Sequence, residues 1–239
     1  MTEIKCATFS IVARCESSGC IGVATASRVP AVGTFVINTK ANIGACATQA
    51  FVNPYHKYWM MEYLAQGKSA SEAMELSLAR DPYPEIRQLA IVDRYGQSAA
   101  HTGIACDTQW AHKTGKNYAV VGNMLESKSV VKTMVEVFKA TENENLFLED
   151  RLLKCLKVGQ EAGGDKRGKQ SAALFVVDTQ DYPLIDLRVD DHAEPIQELE
   201  RLYDNFGERL RKVYKRLANK NNPGGELGKD FLYKHGILK

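Results

Sequence analysis

Short apolar runs, rich in Ile, Val and Ala and broken by polar turns, fill the first fifty positions of the chain. Residues 6–14 and 20–27 flank a break at Ser17, Ser18 and Gly19, which predicts two strands joined by a tight turn. Residues 33–39 and 41–51 are two more such runs, so four strands follow one another in a largely antiparallel sheet. Helical spacing takes over at Asn53-Pro54 and runs through Tyr55, Tyr58, Trp59, Met61, Tyr63 and Leu64 to a stop at Gly67. Ser69 with Glu72 three residues on is a capping-box pattern, predicting a second helix through Ala73, Leu76 and Leu78 that ends before Pro82.

Strand pattern returns at residues 85–93 and 97–102, around Arg94-Tyr95-Gly96, and at 118–125. Residues 129–140 place Val130, Val131, Met134, Val135, Val137 and Phe138 at helical spacing, and residues 146–162 repeat the pattern with Leu148, Leu152, Leu153, Leu156 and Val158. These stripes read as core. Residues 171–178 and 184–189 are the last predicted strands. A long helix then carries Ile196, Leu199, Leu202, Tyr203, Phe206, Leu210, Val213, Tyr214 and Leu217, a stripe that must pack on something. Asn222-Pro223-Gly224-Gly225 reads as a linker. The expected organisation is a leader at 1–7, one domain at 8–220 and a tail at 221–239. Strand blocks alternating with helix blocks argue against a doubly wound parallel sheet. They predict an α+β fold with antiparallel sheets between helix pairs, a four-layer αββα sandwich with a long C-terminal helix and a short tail.

Composition narrows the classes. With 239 residues, 44% hydrophobic and a net charge of +2, the chain can bury a sizeable core and has no basic surplus that calls for nucleic acid. Arg209, Arg211, Lys212, Lys215, Arg216 and Lys220 gather on one predicted helix and read first as its solvated end. Six cysteines show no CxxC pair and no histidine at ligand spacing, so reduced thiols, no metal and no cofactor are expected. No apolar run is long enough to span a bilayer and the first residues do not read as a secretory signal, so the expected location is cytoplasmic.

The residue with the most specific chemistry on offer is Thr8. A threonine at the head of a strand becomes both nucleophile and base if it is made N-terminal, because its own α-amine, with an unperturbed pKa of about 7.7–8, activates its hydroxyl. An ordinary β-branched strand residue is the plainer reading. Gln49, Asn53 and Asn123 offer side-chain amides to an oxyanion, while Asn53, before Pro54, equally reads as an Asx-turn or a helix cap. Residues 163–171 form a polar, glycine-containing loop between a helix and a strand. Such a turn can bring backbone amides and the charges of Asp165 and Arg167 to one place, and suits an anionic or carboxylate-bearing substrate held through Arg167; an ordinary helix C-cap explains Gly163 and Gly164 but not Asp165, Arg167, Gln170 and Ser171. Arg188, Asp190, Asp191 and His192 read as a helix cap and ion pair at least as well as a site. His101 and His112 are lone histidines, and Cys6 and Cys15 have no indicated histidine partner.

Several stretches resemble a known family. Ala7-Thr8 before a strand and Ala24-Thr25-Ala26-Ser27-Arg28 at the end of the next are similar to N-terminal-nucleophile (Ntn) hydrolases, and residues 44–50 resemble a segment of proteasome-type β subunits. Residues 8–14, Ala47–Ala50 with Asn53-Pro54, 87–89, 101–103, 122–125, 162–173 and 186–192 resemble a bacterial and archaeal family, domain of unknown function ten-twenty-eight, grouped with those hydrolases. The resemblance implies amide-bond hydrolysis. Thr8, Asn123 and Asp165 are the candidate catalytic residues, and Arg28, Gln49, Asn53, Arg167 and Ser171 the candidate substrate-binding residues. The expected partners are a small-molecule or short-peptide substrate and further copies of the chain, with no nucleic acid and no membrane. The alternative from another class is a non-catalytic binding or assembly protein on the same scaffold.

Overall fold

The computed structural model describes residues 5–6, 8–107, 109–226 and 228–237. Among these, two antiparallel sheets and seven α-helices make a mixed α+β fold. The elements begin with β1 (Lys5–Cys6), β2 (Thr8–Arg14), β3 (Ile21–Ser27), α1 (Val32–Val36), β4 (Ile37–Lys40) and β5 (Gly44–Phe51). They continue through α2 (Tyr55–Ala65), α3 (Ala70–Leu78), β6 (Arg87–Asp93), β7 (Ser98–Thr102), β8 (Ala111–Gly115) and β9 (Tyr118–Gly122). The rest are α4 (Ser129–Ala140), α5 (Leu148–Glu161), β10 (Ser171–Val177), β11 (Ile185–Val189), α6 (Pro195–Arg216) and α7 (Lys229–Lys234). One sheet runs β11-β10-β3-β2-β9-β8; the other runs β1-β5-β6-β7, with β4 also paired to β5.

Three apolar clusters hold these parts together. The first packs Phe9 and Ile11 of β2 against Met134, Leu152, Leu156 and Leu199 of α4, α5 and α6. The second lies between strands of both sheets, with Val12, Val23 and Val121 meeting Ala45, Ala47, Ala90 and Val92. The third packs Leu89 and Ile91 of β6 on Met60, Leu64 and Met74 of α2 and α3. Alternate residues of β2 and β6 therefore point into different clusters, and the stretches Ile11–Ala13 and Leu89–Val92 are unbroken apolar runs because both faces are covered there.

Local signals hold where a side chain fixes the backbone. The Ser69 capping box forms as expected, with Glu72 N–H donating to Ser69 Oγ and Ser69 N–H to Glu72 Oε2. The run at 33–39, read as a strand, splits into α1 and β4. A short apolar run carries no periodicity that separates strand from helix, and here Ser171 Oγ takes the Val32 N–H and turns the chain. Strand β8 escaped the pattern because it is a sheet edge made of Ala111, His112, Lys113, Thr114 and Gly115, with its middle residues exposed. The stripe on α6 is only partly packed. Ile196, Leu199 and Tyr203 are buried, whereas Phe206, Val213 and Leu217 are 41%, 44% and 46% exposed. The helix has 22 residues, about 33 Å at 1.5 Å each, and outreaches the strands of five and seven residues it lies against.

Candidate functional site

The space between the sheets is apolar at one end and polar at the other. Val12 faces the second cluster, so Ser10 and Thr8, two and four positions earlier, share its face. By the same alternation Val23 leads to Thr25 and Ser27, Ala47 to Gln49, and Ala90 to Gln88. All of these polar residues are buried, with Asn123 beside them after β9.

They form one connected network. Thr8 Oγ1 donates to Ser27 Oγ at 3.1 Å. The Thr8 carbonyl accepts from Gln49 Nε2 at 2.9 Å and from the Asn123 backbone N–H at 3.1 Å. Ser10 Oγ bonds Thr25 Oγ1 at 2.8 Å and donates to Gln49 Oε1 at 2.7 Å. Gln88 Oε1 accepts from Gln49 Nε2 at 2.7 Å and from Asn123 Nδ2 at 3.0 Å. Its Nε2 donates to Thr102 Oγ1 and to the Gly122 carbonyl, both at 2.9 Å, and Thr102 Oγ1 bonds His112 Nδ1. The chain of hydrogen bonds thus leads from Thr8 to His112 on the open edge strand β8, whose pKa is lowered by partial desolvation of its ring.

A cavity of about 170 Å³ adjoins this network, lined by Ala50, Phe51, Ala105, Cys106, Asp107, Asn123 and Met124. Two of its wall residues hold left-handed backbone without being glycine: Ala50 at φ 71° and Met124 at φ 48°. Such conformations cost energy and cluster where structure serves a ligand. Asp107 is paired with Lys166 at 2.9 Å. Burial pushes the Cys106 thiol up, so it lines the cavity as a protonated group.

The loop at 163–171 reaches the same place. Leu125 bridges to Asp165, Lys166 N–H donates to the Met124 carbonyl, and Glu126 N–H to the Gly164 carbonyl. The buried Asp165 carboxylate accepts from the backbone N–H groups of Arg28 and Arg167 and from Arg167 Nε and Nη2. The exposed Arg28 guanidinium holds Gln170. Ser171 lies in register with Ser27, which lies in register with Thr8, but its hydroxyl is engaged in the turn at Val29 and Val32.

The model of a family of unknown function, DUF1028, matches residues 8–199. The chain belongs to the DUF1028 family. A crystal structure of a DUF1028 protein from Silicibacter pomeroyi superposes with a TM-score of 0.82 at 30% identity, over 93% of this chain and 96% of that one. Anbu, an ancestral β-subunit from Yersinia bercovieri, aligns over 92% of this chain and 100% of that one at 13% identity and a TM-score of 0.35, too slight a likeness to bear on this protein. No curated protein matches the sequence.

All of the candidate residues fall within the DUF1028 match, but they occupy more than one place. Thr8, Gln49 and Asn123 share the network; Asp165, Arg167 and Arg28 form the adjoining loop contact. Asn53 belongs to a different buried cluster, where it donates to Asp81 at 2.9 Å. There His56 spans Ser77 and Asp81, both at 2.7 Å, and Arg87 grips Asp81 from the other side. Ser10, Thr25, Ser27 and Gln88 lie in stretches that carry the family resemblance but are not among the candidate site residues, since each is one polar letter in a strand. Their signal is shared parity along β2, β3 and β6, visible once the strands are aligned. Among the described residues no group of three or more His, Cys, Asp or Glu side chains is placed to hold a metal, and no helix is long and apolar enough to cross a membrane.

Proposed function

We propose that this protein is an amide-bond hydrolase of the N-terminal-nucleophile type, built as a four-layer αββα sandwich, with Thr8 as nucleophile after cleavage between Ala7 and Thr8. The observation that carries the reading is Thr8 itself, at the start of β2, hydroxyl on Ser27 and carbonyl held by Gln49 and Asn123. Removal of residues 1–7 would give Thr8 a free amine, and would take β1 away from the β5 edge at Ala50 and Phe51, two residues of the cavity wall.

In the proposed reaction the α-amine takes the Thr8 hydroxyl proton while Oγ1 bonds to the amide carbon. The tetrahedral oxyanion takes a hydrogen bond from the Asn123 side chain, which lines the cavity. The amine leaves with the transferred proton, and water then cleaves the Thr8 ester. Asp165 acts by position, fixing the Arg28 and Arg167 backbone and the Arg167 guanidinium, and that guanidinium gives the site its preference for a carboxylate-bearing small molecule or short peptide. Thr8→Ala is expected to abolish release of amine from a panel of small amides and dipeptides, while Thr8→Ser retains it. Full turnover by Thr8→Ala would overturn the assignment.

The exposed Phe206 and Val213 on α6, with Leu217 just past its end, favour a second reading, a homo-oligomer whose role is assembly rather than chemistry. Sedimentation of the full chain as a monomer would exclude that role.

A further inference from the structure

Cys15 and Cys20 face each other across the turn between β2 and β3. The register that pairs Arg14 with Ile21 sets Cys15 opposite Cys20 one step on, and Cys15 N–H donates to the Cys20 carbonyl at 2.8 Å. The Cys15 carbonyl takes the Gly19 N–H and the Cys20 N–H turns to Ser18 Oγ, so the two cysteines close the turn just beyond the ladder, next to pairs whose Cα atoms lie about 4.5–5.5 Å apart, within the range that disulfides span. Both side chains line a cavity of about 540 Å³, together with Ser17, Ser18, Phe147 and Arg211.

The surroundings treat the two thiols differently. Burial disfavours the Cys15 thiolate, but the hydroxyls and backbone N–H groups of Ser17 and Ser18 outweigh it and bring its pKa below the ordinary thiol value. Ser17 Oγ lies 3.2 Å from Cys15 Sγ. Burial pushes Cys20 up to about 11. The other described cysteines are less apt: burial pushes Cys46 and Cys155 up to about 12 and raises Cys106 as well.

We propose that Cys15 and Cys20 form an oxidisable dithiol site for hydrogen peroxide, with Cys15 attacking and Cys20 resolving. The Cys15 thiolate attacks one peroxide oxygen; an S–O bond forms, the O–O bond breaks, and the departing hydroxide takes a proton to become water. The Cys20 thiol then gives up its proton and bonds to the Cys15 sulfur, expelling the sulfenic oxygen as a second water. Two thiols are oxidised by two electrons and one peroxide is reduced to two waters. This site is independent of the Thr8 chemistry.

The full-length protein is exposed to hydrogen peroxide, alkylated with iodoacetamide and digested with trypsin. Cleavage after Arg14 and Arg28 puts both thiols, and no other cysteine, in the single peptide 15–28. This peptide is expected to lose two hydrogens and its alkylation about tenfold faster than Cys46 or Cys155 loses theirs. Cys20→Ser is expected to hold a dimedone-trapped sulfenic acid on Cys15, and Cys15→Ser to leave Cys20 reduced; alanine variants replace either protein should it not fold. Peptide 15–28 staying fully alkylated in the wild type, or Cys20 oxidising equally fast without Cys15, would overturn the proposal.

Discussion

Gln88 meets a partner with both ends of its amide: Oε1 accepts from Gln49 and Asn123, and Nε2 donates to Thr102 and the Gly122 carbonyl. In a buried network each group orphaned by a truncation costs the desolvation of that group. Gln88→Ala is therefore expected to lower the free energy of unfolding by about 3 kcal/mol in urea titration; a loss under about 0.5 kcal/mol would mean that water replaces the side chain. At this scale the sequence was only half legible. Thr8, Gln49 and Asn123 stood out by residue type and neighbourhood. Ser10, Thr25 and Ser27, though they lie in stretches that carry the family resemblance, did not stand out as site residues, because a small hydroxyl in a strand is ordinary until its face is known to lie between two sheets.

At the scale of elements, a second buried network anchors α2 and α3. His56 on α2, Ser77 on α3, Asp81 in the turn beyond and Arg87 at the start of β6 tie both helices to the sheet they cover. Burial alone would raise the Asp81 pKa, but Arg87, Asn53, the Tyr83 N–H and His56 together hold it well below the usual carboxylate range. A carboxylate depressed in the folded state contributes stability that is fully present above its unfolded pKa of about 3.9 and is lost as pH falls through the folded value. Asp81→Asn is thus expected to melt lower than the wild type at pH 7, with the gap closing below about pH 4. A gap that stays constant down to pH 2 would show that Asp81 acts by packing alone. Arg87→Ala is expected to cost about 3 kcal/mol at pH 7 in denaturant unfolding, because it leaves a buried carboxylate short of its cation; an unchanged midpoint would contradict this. Helices with a side-chain start signal, such as α3, or a full apolar stripe, such as α4, were legible in sequence. The α1–β4 corner was not, since the Ser171 hydroxyl that turns it lies more than a hundred residues away.

At the scale of the whole molecule, two antiparallel sheets share a core that is apolar at one end and polar at the other, and Thr8 opens, in the polar end, the strand that runs on into the apolar one. The alternation of strand and helix blocks made the α+β class readable. The convergence of residues 8, 49, 88 and 123 is a product of long-range pairing that no local pattern carries. The DUF1028 match ends at residue 199, within the first turns of α6.

The central claim is that residues 1–7 are removed to free Thr8. Intact-mass spectrometry with N-terminal sequencing, on the full-length chain before and after prolonged incubation, tests it directly. The account predicts a shortened chain beginning at Thr8, with no such product from Thr8→Ala. A wild-type chain that keeps its full mass throughout, with no material starting at Thr8, would contradict it.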